Sequence, residues 1–168
     1  MLASLNVLIN YGQLILYLPS VDRPGHLWGE PEMQQGFAWS PGIVSFGVPE
    51  HAFICTVEIE MVDAFRTSPD AISCLRVPFD VSETPVQIGS IFEYEPVDIP
   101  TGAYSLICEV LPGCGTWEIE TDDQKEIGDI DHVIKIALAR GDSDIFEVLK
   151  TGGAVFSDKV LSRLCALA

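Results

Sequence analysis

The feature that most constrains the fold is an apolar alternation of period two that runs, with interruptions, from residue 5 to about residue 121. Phe53, Cys55, Val57, Ile59 and Met61 fall on one parity, and Ile54, Thr56, Glu58 and Glu60 on the other. Successive side chains of a strand point to opposite faces, so this run reads as a strand with one buried face and one that turns acidic. The alternation recurs over Tyr104–Val110, in Trp117 and Ile119 against Glu118 and Glu120, and in Phe92 and Tyr94 against Glu93 and Glu95. Further strands are expected at Val7–Ile9, Leu14–Leu18, Ile43–Val48, Ile72–Val81 and Val86–Ile88. Pro41-Gly42, Pro49, Pro85, Pro100-Thr101-Gly102 and Pro112-Gly113 fall between the runs, where turn chemistry belongs. The expected fold is therefore mainly β: an antiparallel β-sandwich, jelly-roll-like, of about eight or nine short strands.

Two stretches break the pattern. Residues 20–40, rich in Pro, Gly, Trp and acids, read as a loop or a short helix around Glu32–Phe37. Loops of that length more often carry function than decoration. After residue 124 the apolar spacing turns helical, through Ile130, Val133, Ile134, Ala137 and Leu138, with Gly141 as the stop. Asp142-Ser143-Asp144 matches the start of a calcium loop but lacks its later ligands, so it reads as a helix cap. A second helix is expected over Asp144–Lys150, and a third, capped by Ser157, over Asp158–Ala168. The chain thus divides into a β-sandwich domain, residues 1–123, and a short C-terminal helical appendage, residues 124–168.

Charge narrows the function. The 168 residues hold 25 acids and nine Lys or Arg, for a net charge of −16. Residues 1–124 carry eighteen of the acids against Arg23, Arg66 and Arg76, so nearly all of the excess lies there. Such a surface repels nucleic acid and anionic membranes and attracts a basic protein. Catalytic constellations are thin. His26, His51 and His132 show no metal-ligand spacing. Cys55, Cys74, Cys108, Cys114 and Cys165 contain no C-x-x-C pair. Neither a phosphate-binding nor a dinucleotide-binding glycine motif is present. A Cys114–His51 nucleophile–base pair and a carboxylate pair are the weak enzymatic alternatives. The reading is of a non-enzyme without cofactor or metal. Its thiols and interrupted N-terminal apolar stretch suggest a cytoplasmic protein.

The acids themselves form rows. Glu58 and Glu60 share one strand face, and Glu93 and Glu95 another, followed by Asp98. Glu118 and Glu120 share a third and run into Asp122 and Asp123. Alternate carboxylates on a strand lie about 6.5–7 Å apart, comparable with phosphates along one nucleic-acid strand. Such rows, with Glu109, could occupy the basic groove of a nuclease, and Trp28 and Phe37 in the long loop could supply an aromatic anchor. The rival reading is a calcium- or carbohydrate-binding sandwich, which needs carboxylates converging at one loop end.

Four ordered segments carry a family likeness: Gln13–Tyr17; Gly36-Phe37-Ala38 with Gly42–Phe46; Val77–Val81 with Glu83; and Ile99–Leu106. In order and spacing this set resembles the competence protein J family, over about residues 8–123. The resemblance implies an inhibitor that binds a DNA-degrading nuclease directly and blocks it, in the manner of an immunity protein against a nuclease toxin. It implies no catalytic residues, and residues 124–168 have no counterpart in it.

Overall fold

The computed structural model describes residues 1–141 and 144–168. Its elements are β1 (Ala3–Leu8), β2 (Gln13–Tyr17), α1 (Glu30–Gln35), β3 (Phe37–Ser40), β4 (Ile43–Gly47), β5 (Ile54–Val62), β6 (Ser73–Val81), β7 (Val86–Gly89), β8 (Tyr94–Val97), β9 (Gly102–Pro112), β10 (Thr116–Glu120), β11 (Lys125–Asp129), β12 (His132–Arg140) and β13 (Glu147–Lys150). They form a six-stranded sheet, β1-β5-β12-β9-β6-β13, a five-stranded sheet, β3-β4-β2-β7-β8, and a separate two-stranded hairpin, β10-β11. The mainly β expectation holds. The pairings are antiparallel except β5 with β12, which run parallel in register from His132 opposite Cys55 to Ala139 opposite Val62.

One apolar cluster joins the two large sheets. Cys55, Val57 and Ile59 of β5 and Leu106, Cys108 and Val110 of β9 meet Leu14 and Leu16 of β2 and Val44 and Phe46 of β4. Each is the inward parity of its alternation, and each buried Leu, Ile, Val or Phe contributes roughly 1.5–3 kcal/mol. The far face of the six-stranded sheet is partly roofed by the segment between β5 and β6. Phe65 packs on Cys74, Ile107 and Ala137, and Ala71 on Leu111 and Val133.

The helical extension expected over 124–168 is corrected: its described residues contain β11, β12 and β13 and no helix. β12 lies inside the six-stranded sheet between β5 and β9. Ile134, Ile136 and Leu138 face the sandwich core, while Val133 and Ala137 lie beneath the roofing segment. A strand covered on both faces loses its period-two signature and imitates helical spacing. Glu147–Lys150 is a strand on β6 instead of a helical turn. The cap reading of Asp142-Ser143-Asp144 falls partly on residues 142 and 143, outside those described.

The last twelve residues are not helical because other elements take their backbone groups. Leu161 N–H and Ser162 N–H donate to Gln35 Oε1 at 2.8 and 2.9 Å, and Gln35 Nε2 donates to Ser162 C=O at 2.8 Å. Cys165 N–H donates to Trp39 C=O and Ala168 N–H to Gly25 C=O. This terminal segment straps the 20–40 segment to the edge strand β3. Residues 37–40 of that expected loop are themselves the strand β3, and the short helix α1 stands within a few residues of its expected place.

Candidate functional site

The expected contact residues fall into unlike environments. Glu58 and Glu60 lie on the outer face of β5, half-buried. Cross-strand register sets Glu58 beside Lys135 of β12, and Lys135 beside Glu109 of β9. A cation therefore interleaves that row, which is not a continuous acidic stripe. Glu109 is corrected as a contact: it is 2 % exposed. Its carboxylate accepts Ser68 N–H at 2.7 Å and Ser68 Oγ–H at 2.9 Å, tying down the roofing segment. Phe37 is corrected likewise. It lies on β3, 0 % exposed, inside the main core, so it offers no surface anchor.

Glu93, Glu95 and Asp98 are exposed around the edge strand β8. Glu95 is in register with the core residue Ile88, so it points along the sandwich side of an edge. Together with Pro96 it is the charge-and-proline guard that keeps an edge strand from pairing with another chain. Glu93 stands in the preceding turn, beside Phe92.

The third row is the densest. β10 and β11 pair from Thr116 opposite Asp129 to Glu120 opposite Lys125. Residues 116–129 carry Glu118, Glu120, Asp122, Asp123, Glu126 and Asp129 against one cation, Lys125, which pairs with Glu118. All six acids are exposed. Glu126 and Asp129 escaped the sequence reading because they fell in what looked like a helical tail. Trp117 covers Gly128, where a Cβ would come within 2.4 Å of the indole, and its ring meets Phe53 edge-on at 5.5 Å. Asp131 fastens the hairpin's base by accepting Phe53 N–H and Ile54 N–H.

The hairpin leaves the six-stranded sheet at the end where β1 finishes and β5 begins, and an open groove of about 1120 Å³ lies at that end. Its walls include Tyr11, Trp28, Met33, Glu50, His51 and Phe156. Trp28 is thus placed at this end as a half-buried wall, and its buried indole N–H has no acceptor among the described residues. His26, deeper in the same wall, is held between Ser40 Oγ at 2.7 Å and Ser45 Oγ at 2.8 Å. Burial lowers its pKa to about 4, with the Glu32 carboxylate pulling the other way. Cys114 is exposed in the link before β10, while burial pushes the Cys55 and Cys74 thiols up to about 12. Among the described residues no three His, Cys, Asp or Glu side chains converge to hold a metal ion.

Fold and site together define a protein that presents a surface: a β-sandwich with an acidic hairpin beside an aromatic-walled groove. Comparison with known proteins gives the family. The competence protein J model matches residues 6–135, and the chain belongs to that family. The match runs through β11 into β12, beyond the strands the sequence likeness reached. Among solved structures, the crystal structure of ComJ from Bacillus subtilis, described as an inhibitor of the DNA-degrading activity of NucA, superposes with a TM-score of 0.65 at 21 % identity. It covers 83 % of this chain and 96 % of that one. Two NAD-linked glycerol-3-phosphate dehydrogenases also align. The Lachancea thermotolerans protein is 30 % identical over 134 residues, 75 % of this chain. The Zygosaccharomyces rouxii protein is 31 % identical over 93 residues, 55 % of this chain. The chain spans about a third of the length of the first and less of the second, 32 % and 23 %. The dinucleotide-binding G-x-G-x-x-G is absent from its sequence.

Proposed function

We propose that this protein is a nuclease inhibitor, a binding protein without catalysis of its own, that blocks a DNA-degrading enzyme by occupying its active-site cleft. Membership of the competence protein J family carries this reading, supported by the likeness to the Bacillus subtilis inhibitor. The acidic hairpin is the element suited to the occlusion. Its carboxylates stand on a paired scaffold outside both large sheets, and a nuclease cleft is cationic because it binds phosphates. Rim acids of this kind raise the rate of encounter with a cationic partner more than they deepen affinity.

The test is DNA cleavage by purified NucA and by each nuclease of the protein's own organism, with this protein in stoichiometric excess. Inhibition of at least one enzyme, at a one-to-one endpoint, is expected. Undiminished cleavage across the whole panel contradicts the proposal.

A further inference from the structure

Two residues other than glycine have positive φ among the described residues, Tyr11 at 55° and His51 at 66°. They stand in adjacent turns at the hairpin end. Tyr11 and Gly12 (φ 62°) are the central residues of the β1–β2 turn, closed by the Asn10–Gln13 bridge. Two central residues at positive φ are the type I′ pattern, for which Asn-Gly is the favoured pair. His51 lies in the Pro49–Ala52 turn, closed by Ala52 N–H on Pro49 C=O. Val48 N–H donates to Gly12 C=O at 2.8 Å and locks the two turns together. Ser90 holds the first turn from the other side, accepting Asn10 N–H and donating to Gln13 C=O.

The left-handed region is unfavourable for a side chain such as tyrosine's. Burial does not compensate here, because Tyr11 is 77 % exposed. Its ring meets Phe92, itself 70 % exposed, at 6.2 Å. The fold thus holds an aromatic pair out into solvent at a backbone position that suits another residue better. Strain retained without a structural return is a mark of a binding site. Glu93 follows Phe92 in the chain and Glu50 lines the same groove as Tyr11, both exposed, and among the described residues no Lys or Arg lines that groove. Exposed aromatic faces rimmed by carboxylates fit a guanidinium or ammonium, held by cation–π attraction and charge. Aromatic anchors of this type carry a disproportionate share of binding energy.

Resting on the nuclease-inhibitor reading, we infer that the Tyr11–Phe92 tip, with His51 beside it, anchors the inhibitor by seating an arginine- or lysine-bearing segment of the nuclease. The acidic hairpin then supplies the electrostatic approach, and the tip supplies the lasting contact.

The variant that separates fold from function is Tyr11→Asn, which puts the favoured residue in the turn. It should raise the melting temperature by about 2–4 °C and weaken inhibition about tenfold or more, chiefly through faster dissociation. Phe92→Ala should weaken inhibition to a similar degree with little change in melting temperature, and Tyr11→Phe should retain it. All are measured on the full chain against whichever nuclease of the panel the wild type inhibits. Inhibition unchanged in both Tyr11→Asn and Phe92→Ala, with the wild type active, overturns the anchor and leaves the inhibitor reading standing. A lower melting temperature for Tyr11→Asn overturns the strain argument. Failure of the wild type against the entire panel removes the inhibitor reading and the anchor with it.

Discussion

Acidification should weaken the fold through His26, and the effect can be isolated from that of the many carboxylates. His26 is buried at the groove wall, its two ring nitrogens held by Ser40 and Ser45. In the folded protein its pKa is lowered from 6.5 to about 4, because burial disfavours the charged ring. In the unfolded chain the ring has its ordinary value. Above pH 6.5 both states hold a neutral ring, and the difference is constant. Between pH 6.5 and about 4 the unfolded chain takes up a proton that the folded one refuses, so stability falls as the pH falls through that window. At about 1.4 kcal/mol per pH unit, the full window is worth roughly 3 kcal/mol. Urea denaturation of wild type and His26→Gln at several pH values between 4.5 and 7.5 gives the test, because the carboxylate titrations are common to both. The stability advantage of wild type over the variant should shrink by about 1 kcal/mol or more for each pH unit below 6. Two parallel profiles across that range would show that the ring is not held neutral, and the groove wall as described would be wrong.

Other perturbations follow from the same geometry. Reversing Glu118, Glu120, Asp122 and Asp123 to Lys should slow association with the nuclease about tenfold or more at low salt and much less at 0.5 M salt, in stopped-flow measurements. Glu109→Ala should cost about 1–3 kcal/mol in chemical denaturation, since it frees the Ser68 donors, while leaving inhibition intact. Removing the four hydrogen bonds of buried Gln35 by Gln35→Ala should release the terminal strap, seen as faster proteolysis after residue 156 and a loss of about 2 kcal/mol or more. In native protein, maleimide should label Cys114 rapidly, while Cys55, Cys74, Cys108 and Cys165 react on unfolding.

The sequence shows most plainly those elements with one wet face. β5 was legible because the half-buried Glu58 and Glu60 alternate with its core residues, while β9 and β10 alternate in sequence although β9 is covered on both faces and β10 is almost wholly exposed. β12 was not legible, since Ile134 and Ile136 face the core while Val133 and Ala137 lie under a roof. Its β-branched content, Val133, Ile134 and Ile136, was the available signal. The terminal strap imitates an amphipathic helix, but its backbone is claimed by Gln35, a tertiary partner more than a hundred residues away in sequence. The acids of the hairpin were half legible. Glu118, Glu120, Asp122 and Asp123 stand together in the sequence, and Glu126 and Asp129 join them only once the chain folds back at Asp122-Asp123. Glu109 shows the converse limit, because alternation put it on a wet face and a distant loop then covered it. The strained Tyr11 carried no sequence signal beyond a Tyr-Gly pair where Asn-Gly is usual.

Hydrogen exchange of the protein alone and saturated with its nuclease tests the central claim most directly, because it reports where the partner sits. Added protection should concentrate in residues 9–13, 48–53, 90–93 and 116–129, the four segments that meet at the hairpin end. Protection confined to the β6–β13 side, with the hairpin and the Tyr11 turn exchanging as they do in the free protein, would contradict it.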